Sequence, residues 1–342
     1  MARAAAVFDT EGPRPTRDER AFFRDVDPVG FILFADHCET PDAAYAATSE
    51  LKDAVGREDV LILIDQEGGR VARMKPPAFP EHEPPSRLGE LYRLDPEKAV
   101  DAARLSGMLL ARMISACGVN VNCVPMLDVP QIDADPKVIG DRAIARHPDV
   151  IAALGRAMAE GSKEGGALPV VKHLPGHGRS IVDSHDLLPR VSANIDDLRN
   201  VDFAPFKALN DQLLGMTAHI VYEAIDPELP ATMSERLIEE TIRGEIGFDG
   251  LLFSDDLRMG ALDGEVGARA ARCLAAGCDV ALCCNFTLEE KAATARSDLA
   301  LSTAAEARLG RALNALPARP SDADKADAYD ELASLLKPVV LG

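Results

Sequence analysis

Eight short apolar runs, separated by longer segments of helical character, constrain the fold of this chain more than any other feature. Most of the runs are continuously apolar rather than alternating, which is typical of strands buried on both faces of a parallel sheet. The segments between them are long enough to cross from one parallel strand to the next. The predicted strands cover residues 4–9, 29–34, 60–65, 119–129, 168–173, 213–220, 250–254 and 278–284, and examples of the predicted helices are residues 41–55, 97–117, 149–164 and 263–276.

A strand–helix unit repeated eight times predicts an α/β fold, namely a closed (β/α)8 barrel of the TIM type in a single domain. We expect residues 1–310 to form this barrel and residues 311–342 to form a linker and a short helix packed on it. An open, doubly wound sheet is the alternative architecture. Its dinucleotide-binding form lacks support, because no Gly-x-Gly-x-x-Gly motif follows an early strand.

Charge and composition narrow the possible partners and the location. The 342 residues carry a formal net charge of −19, which disfavours a nucleic-acid backbone or an anionic membrane as partner. No stretch approaches the ~20 apolar residues of a membrane span, and the N-terminus lacks the apolar core of a signal peptide. The seven cysteines are an odd number, and several lie within apolar runs, which indicates reduced core thiols. We therefore expect a cytoplasmic protein.

Metal or cofactor binding is not expected from the sequence. There is no Cys-x-x-Cys pair and no His-Glu-x-x-His motif. Lys172, His173 and His177 lie close together, but no second group of ligands has the spacing of a metal site.

Polar residues follow the predicted strands, at the end of a barrel where active sites are found. A single Asp or Ser in such a position is often a helix cap. Lys172, His173 and His219 are not cap residues, so the set as a whole predicts a polar cavity at the barrel mouth. The strand-end residues are Asp9, Asp65, Gln66, Glu67, Arg70, Arg73, Asp128, Lys172, His173, His219, Ser254, Asp255 and Asp256.

The segment 172–189 after the fifth strand is a candidate catalytic loop. Its prolines and glycines disfavour both helix and strand. Asp183 and His185 would project to the same side of an extended chain, and a carboxylate beside an imidazole makes a general acid/base. Read alone, such a pair is more often a turn cap and a surface histidine.

The adjacent acids Asp255 and Asp256 are the second group of candidate catalytic residues. They cannot both face the core, so we expect one in the barrel mouth and the other capping the following helix. A carboxylate in the mouth, combined with a histidine acid/base, suits glycosyl transfer.

These motifs resemble those of the family 3 glycoside hydrolases, specifically the single-domain bacterial β-N-acetylhexosaminidases of the NagZ type. The likeness spans roughly residues 5–290. The matching segments are Asp65–Arg73, Lys172–Gly178, Asp183–His185 with Leu188 and Pro189, Met216–His219, and Ser254–Met259.

The resemblance implies a role for each matching residue. Asp255 would be the catalytic nucleophile, and His185, paired with Asp183, the general acid/base on a mobile loop. Asp65 would hold sugar hydroxyls, and the sugar pocket would be completed by Arg73, Arg142, Lys172 and His173. The implied activity is retaining hydrolysis that releases N-acetylglucosamine from muropeptides during cell-wall recycling, so the expected partner is a small carbohydrate.

Two positions depart from the family pattern. Ile144 stands where members often have an aromatic residue, and Arg179-Ser180 stand where an acid followed by Thr is common. The second departure lies within the candidate catalytic loop and bears on its closure. Two other activities remain alternatives on the same scaffold. They are a phosphorylase, which would yield sugar 1-phosphate when phosphate is present, and a catalytically silent sugar-binding protein.

Overall fold

The computed structural model describes residues 3–131, 136, 138–182, 184, 187–320 and 325–339. Its centre is an eight-stranded sheet in which every pair of neighbouring strands is parallel. The strands are β1 Ala4–Phe8, β2 Pro28–Leu33, β3 Leu61–Ile64, β4 Val121–Asn122, β5 Leu168–Leu174, β6 Leu214–Thr217, β7 Leu251–Phe253 and β8 Ala281–Cys283.

The sheet closes on itself as a barrel. The strands follow one another in chain order, and β8 pairs with β1. The gap between β7 and β8 is spanned by an isolated parallel bridge from Phe253 to Val280. The predicted (β/α)8 barrel in a single domain is therefore confirmed, and each of the eight predicted strands corresponds to an observed one.

Strand β4 is much shorter than the apolar run 119–129 that predicted it. Pro125 lies within that run, and proline has no backbone N–H to donate to a neighbouring strand. Beyond Pro125 the chain stays beside β5, because the backbone N–H of Leu127 donates to the carbonyl of Lys172 over 2.7 Å. This course brings Asp128 next to the end of β5.

Helices surround the barrel, and local sequence signals set their ends. Helix α2 begins after Thr40, whose hydroxyl accepts a hydrogen bond of 3.1 Å from the backbone N–H of Ala43. It ends at Gly56, which takes a φ of 69°. The helices are α1 Arg17–Val26, α2 Pro41–Val55, α3 Ser86–Leu94, α4 Pro96–Ala116, α5 Pro148–Glu164, α6 Ile195–Asp197, α7 Ala204–Ala208, α8 Val266–Ala275, α9 Leu288–Ala295, α10 Thr303–Asn314 and α11 Lys325–Leu336.

Shorter elements complete the loops. Arg190–Val191 and Val221–Tyr222 form a two-stranded parallel ribbon that joins the loop after β5 to the loop after β6. The remaining helical turns are the 3-10 segments Ala35–Cys38, Gly140–Arg142 and Ala231–Met233 and the π-helical segments Leu198–Asp202 and Leu237–Glu245.

Both faces of the barrel strands are buried, which explains why their sequences do not alternate. In β3, Leu61 and Leu63 belong to the apolar group inside the barrel, whereas Ile62 and Ile64 belong to the layer between sheet and helices. Leu309 and Ala312 of α10 join the interior group. Helix α10 therefore covers the amino-terminal end of the barrel, and the carboxyl ends of the strands are left for polar residues.

Helix α11 packs beside α3 and α4, with Leu332 and Leu336 in the same apolar layer. The phenolic oxygen of Tyr329 lies 3.2 Å from Nε2 of His82. The carbonyl of His82 in turn accepts a hydrogen bond of 2.8 Å from the backbone N–H of Gly69. Among the described residues, no helix has the length and apolar character that crossing a membrane requires.

His82 should make the fold sensitive to mild acid. Burial lowers the pKa of its imidazole from 6.5 to about 4. Between these two values the unfolded chain binds more protons than the folded one, so the free energy of unfolding falls as the pH drops from about 6.5 to about 4. A single group of this kind contributes up to ~1.4 kcal/mol per pH unit.

We expect the His82→Gln variant to lose less stability than the wild type between pH 7 and pH 5. Glutamine cannot titrate, yet its amide can still bond to Tyr329. Urea denaturation at the two pH values measures the difference. An equal pH dependence in both proteins would show that His82 is not responsible.

Candidate active site

A cavity of about 280 Å³ opens at the carboxyl ends of the strands. This volume lies just below the ~300 Å³ at which the range for small-ligand sites starts, so the cavity suits one compact ligand group. Its wall includes six of the residues that the sequence analysis assigned to the site. They are Asp65, Arg73, Arg142, Lys172, His173 and Asp255.

A buried network of charges forms one wall of this cavity. The Lys172 ammonium lies 2.8 Å from Oδ1 of Asp65 and 2.8 Å from Oε1 of Glu67. Asp65 also accepts a hydrogen bond of 3.0 Å from Nη2 of Arg73. Arg142 donates to both oxygens of Glu67, over 2.9 and 2.8 Å. The loops after β3 and β4 and the end of strand β5 are thus joined by ion pairs in the cavity wall.

The two carboxylates and the lysine of this network remain charged at neutral pH. Burial alone would raise the pKa of the Asp65 carboxyl, but Lys172 and Arg73 outweigh burial and hold it well below its usual range. Burial opposes the ionisation of Glu67 as well, yet Lys172 and Arg142 lower its pKa to about 2. The same carboxylates raise the pKa of Lys172 against the effect of its burial. The cavity therefore offers fixed hydrogen-bond donors and acceptors to a polyhydroxylated ligand.

Lys172 and His173 both line the cavity although they are consecutive residues of β5. In a regular strand, consecutive side chains point to opposite faces. Here the register between β5 and β6 shifts between Lys172 and Leu174, and such irregularities re-aim side chains near active sites.

Asp128 orients His173. Its Oδ2 lies 2.7 Å from Nδ1 of His173, and its Oδ1 accepts the backbone N–H groups of His173 and His177 over 3.2 and 2.6 Å. Burial would raise the pKa of Asp128, but His173 and these hydrogen bonds lower it to about 2. The carboxylate thus holds a proton on Nδ1 of His173, and Nε2 of that ring is left for a ligand.

Asp255 follows β7 and lines the cavity. Burial acts to raise the pKa of its carboxyl, but His173, His219 and the backbone N–H of Asp256 hold the pKa below its ordinary value. That N–H donates to Oδ1 of Asp255 over 2.8 Å. An ionised carboxylate at the base of a small polar cavity has the properties of a nucleophile.

Asp256 does not cap a helix, which corrects the expectation for this acid pair. No helix starts directly after it, since α8 begins at Val266. Its Oδ1 instead accepts the backbone N–H groups of Arg258 and Cys284, over 2.9 and 3.4 Å. Burial raises the pKa of Asp256 to about 7. Asp256 therefore shapes the loop after β7.

His219 supports the same loop rather than the ligand. Its Nε2 donates to the carbonyl of Asp256 over 2.9 Å, and its Nδ1 lies 2.7 Å from Oγ1 of Thr232. Both ring nitrogens are therefore occupied. Burial lowers the pKa of His219, so a neutral ring fixes the backbone next to Asp255.

The predicted acid/base pair, Asp183 and His185, lies outside the described residues. Ser184, between them in sequence, lines the cavity, and its hydroxyl lies 3.2 Å from Nε2 of His177. Earlier in this loop, Nε of Arg179 donates to the buried Asp202 over 2.7 Å. The residue that departs from the family pattern thus has an internal partner of opposite charge.

The sequence analysis did not predict the contacts of four residues that shape the site. Glu67 lies within a recognised motif, but the motif does not show that its carboxylate bonds to Lys172 and Arg142. Asp128 was recognised as a strand-end residue without a role. The others are His177 and Asp256. Asp9, by contrast, is a strand-end residue outside the cavity wall; it accepts the backbone N–H of Asn285 over 2.7 Å.

Comparison with known proteins links this geometry to a family. The sequence matches the family described as "Glycosyl hydrolase family 3 N terminal domain" over residues 6–312. A β-hexosaminidase of Alkalilimnicola ehrlichii is 40% identical over 289 residues, which cover 83% of this chain and 82% of the relative. One from Bordetella avium is 38% identical over 283 residues, covering 82% of this chain and 80% of the relative.

A solved structure is similar along almost the whole chain. NagZ from Neisseria gonorrhoeae in complex with N-trifluoroacetyl-D-glucosamine superposes with a TM-score of 0.87 at 29% identity, covering 98% of this chain and 99% of that one.

Proposed function

The chain belongs to glycosyl hydrolase family 3 and is a glycoside hydrolase that acts on β-N-acetylhexosaminides, and from this premise we propose that it is a retaining, exo-acting β-N-acetylglucosaminidase. The observation that carries the proposal is the ionised Asp255 in a cavity that suits one compact ligand group and is walled by fixed charges. The limited volume supports attack on a terminal sugar. Asp65, Arg73, Arg142, Lys172 and His173 would hold that sugar.

In the first step, Asp255 attacks the anomeric carbon and forms an ester while the glycosidic C–O bond breaks. His185, in its protonated form, gives its proton to the leaving oxygen. Asp183 would favour that protonated state, since a nearby carboxylate stabilises an imidazolium. The pair replaces the second carboxylic acid of the usual two-carboxylate scheme.

In the second step, the now neutral His185 removes a proton from water. The water oxygen attacks the anomeric carbon, and Asp255 leaves as a carboxylate. Two displacements at the same carbon return the original β configuration. N-acetylglucosamine and a free aglycone alcohol are the products.

Covalent trapping tests this assignment. A slow glycoside of the 2-deoxy-2-fluoro type should accumulate as an ester, and peptide mapping should locate the added mass on Asp255. A label on another residue, or product of inverted configuration, would contradict the proposal.

His185→Ala should affect substrates according to their leaving groups. A poor leaving group needs the proton, and general acid catalysis is worth ~10²–10⁴-fold. A nitrophenolate leaves without one. We therefore expect kcat/KM to fall far more for alkyl glycosides than for dinitrophenyl glycosides. Equal losses for both classes would show that His185 is not the acid.

We further propose that the natural substrates are muropeptides that carry terminal N-acetylglucosamine and are degraded during cell-wall recycling. The likeness to NagZ supports this proposal. Mass spectrometry of a digest of soluble muropeptides should show loss of a single terminal N-acetylglucosamine from each. Unchanged muropeptides, combined with hydrolysis of aryl glycosides, would assign the enzyme to another β-N-acetylhexosaminide.

A further inference from the structure

Phe34 and Arg73 are stacked against each other in the wall of the active-site cavity. Phe34 directly follows β2, and Arg73 lies in the loop after β3. The guanidinium carbon of Arg73 lies over the Phe34 ring, 5.4 Å from its centroid. This distance is within the ~6 Å at which a cation is attracted to the face of an aromatic ring. The contact therefore connects two loops of the barrel through their side chains.

The ring is one of only two described contacts that orient the Arg73 guanidinium. Within the described part of the chain, this group makes a single hydrogen bond, from Nη2 to Asp65 over 3.0 Å, and its Nε is buried without a partner. One hydrogen bond does not define the plane of a guanidinium, because the group can turn about that bond. Guanidinium groups stack flat on aromatic faces, so the face of Phe34 supplies the constraint that sets this plane.

Phe34 is itself held in place. Its ring packs against the apolar group inside the barrel. Its backbone N–H donates to Nδ1 of His37 over 3.0 Å, and its carbonyl accepts the backbone N–H of His37 over 3.2 Å. His37 is only 2% exposed, and its Nε2 lies 2.8 Å from Oγ1 of Thr10. Arg73 therefore rests on a ring whose side chain and backbone are both fixed.

From this arrangement we infer that Phe34 is a positioning residue for substrate binding: the face of its ring holds the Arg73 guanidinium in the orientation that donates hydrogen bonds to the terminal sugar. The inference rests on the proposed function, which assigns Arg73 to that sugar. Hydrogen bonds weaken steeply when the donor angle falls below ~120°. A guanidinium that turns freely would therefore bind the sugar less tightly, although its charge is still present.

Phe248 and Arg243 provide a matched control at the other end of the barrel. The guanidinium carbon of Arg243 lies 5.7 Å from the centroid of the Phe248 ring, and its Nη2 donates to Asp279 over 2.8 Å. Phe248 precedes β7 and Asp279 precedes β8, so this pair lies at the amino ends of the strands. Leucine at position 248 thus removes a ring from a similar arginine–carboxylate pair without altering the active-site cavity.

The first test compares Phe34→Leu with Phe248→Leu in the full chain. Leucine is apolar but has no ring face. From the usual strength of a cation–π contact, we expect Phe34→Leu to raise the inhibition constant of N-acetylglucosamine about 5-fold and to lower kcat/KM for the dinitrophenyl glycoside at least as much. Both values should stay within about twofold of the wild type in Phe248→Leu, and thermal unfolding measures the stability of each variant. Wild-type binding by folded Phe34→Leu, or equal weakening in Phe248→Leu, would overturn the inference.

Fluorinated phenylalanines at position 34 distinguish the ring face from the shape of the ring. Fluorine withdraws electron density from the face and weakens its attraction for a cation, while the ring keeps nearly the same size. With one, two and then three fluorine atoms on the ring, the inhibition constant of N-acetylglucosamine should rise stepwise. A constant that stays the same across the series would overturn the inference, because Phe34 would then only fill space.

A double variant shows whether Phe34 acts through Arg73. If it does, Phe34→Leu should weaken binding of N-acetylglucosamine by less than about twofold when added to Arg73→Met, because the group that it positions is already missing. A further 5-fold loss in that background would overturn the inference, since it would indicate direct contact between the ring and the sugar.

The single variant Arg73→Met separates this inference from the proposed function. If Arg73→Met binds N-acetylglucosamine as tightly as the wild type, the assignment of Arg73 to the sugar fails. If its binding is weakened, and Phe34→Leu binds like the wild type, only the positioning role of Phe34 fails.

Discussion

Replacing Asp255 with alanine is expected to lower kcat by ~10⁴-fold or more, because the covalent step then has no nucleophile. Among the described residues, the side chain bonds only to the backbone N–H of Asp256, so the fold should persist. Turnover of the dinitrophenyl glycoside gives the rate, and thermal unfolding verifies the fold. Activity within 10-fold of the wild type would remove Asp255 as the nucleophile.

Asp256→Asn is the matched control for this variant. Asparagine retains the oxygen that accepts the N–H groups of Arg258 and Cys284. Burial raises the pKa of Asp256 to about 7, so the neutral form that asparagine resembles is populated at neutral pH. We therefore expect a far smaller loss than for Asp255→Ala. Added azide should restore part of the turnover of Asp255→Ala only, with an α-glycosyl azide as product, since azide would enter from the face that the carboxylate occupied.

Replacing Lys172 with methionine is expected to damage both stability and activity. The variant leaves the carboxylates of Asp65 and Glu67 with the guanidinium groups of Arg73 and Arg142 as their described cationic partners. Removing one partner from a buried ion pair costs ~3–5 kcal/mol, and urea denaturation at pH 7 should show a loss of that order. Because Lys172 is proposed to hold the sugar, we expect its loss to lower kcat/KM by ~10²-fold or more.

The stability deficit of Lys172→Met should depend on pH. In the wild type the carboxyl pKa values are lowered, so the associated stability is present above pH ~4 and is lost as the pH falls further. In the variant these carboxyls take up protons at a higher pH. The difference between the two proteins should therefore shrink as the pH falls toward 4.

Lys291→Met is a control, because it removes a buried lysine that is not part of the candidate active site. Lys291 is fully buried and lies 3.1 Å from Glu19 and 3.5 Å from Asp9, away from the cavity wall. We expect a comparable loss of stability with a much smaller change in kcat/KM. A loss of activity equal to that of Lys172→Met would show that the effect at Lys172 is general destabilisation.

The barrel could be predicted from the sequence, because its strands are buried on both faces and its helices carry clear end signals. Residues 41–55 illustrate this: Thr40, Pro41 and Gly56 mark both ends of the helix, and the structure agrees. The length of β4 was overestimated, because apolar character continues past Pro125 although hydrogen bonding between the strands does not.

The grouping of the candidate residues around one cavity could be predicted from the sequence, but the contacts between them could not. Strand-end positions and motifs identified Asp65, Lys172 and Asp255, since the topology of a barrel brings such positions together. The bond between Lys172 and Glu67 joins residues far apart in sequence, and no local pattern indicates it. His219 bonds to a backbone carbonyl, and Asp256 accepts backbone N–H groups. The sequence cannot predict these contacts, because almost every residue carries the same backbone groups.

The ion pairs around Lys172 imply that the cavity is pre-organised. Each of the five groups in this network already has an opposite charge within bonding distance, so an arriving sugar does not have to immobilise long, freely rotating side chains. That entropic cost is met when the chain folds rather than when the ligand binds. A small, strongly hydrated molecule can then be bound tightly with few contacts. Because the loops after β3 and β4 and the end of β5 share these ion pairs, a substitution in one of them also alters the others.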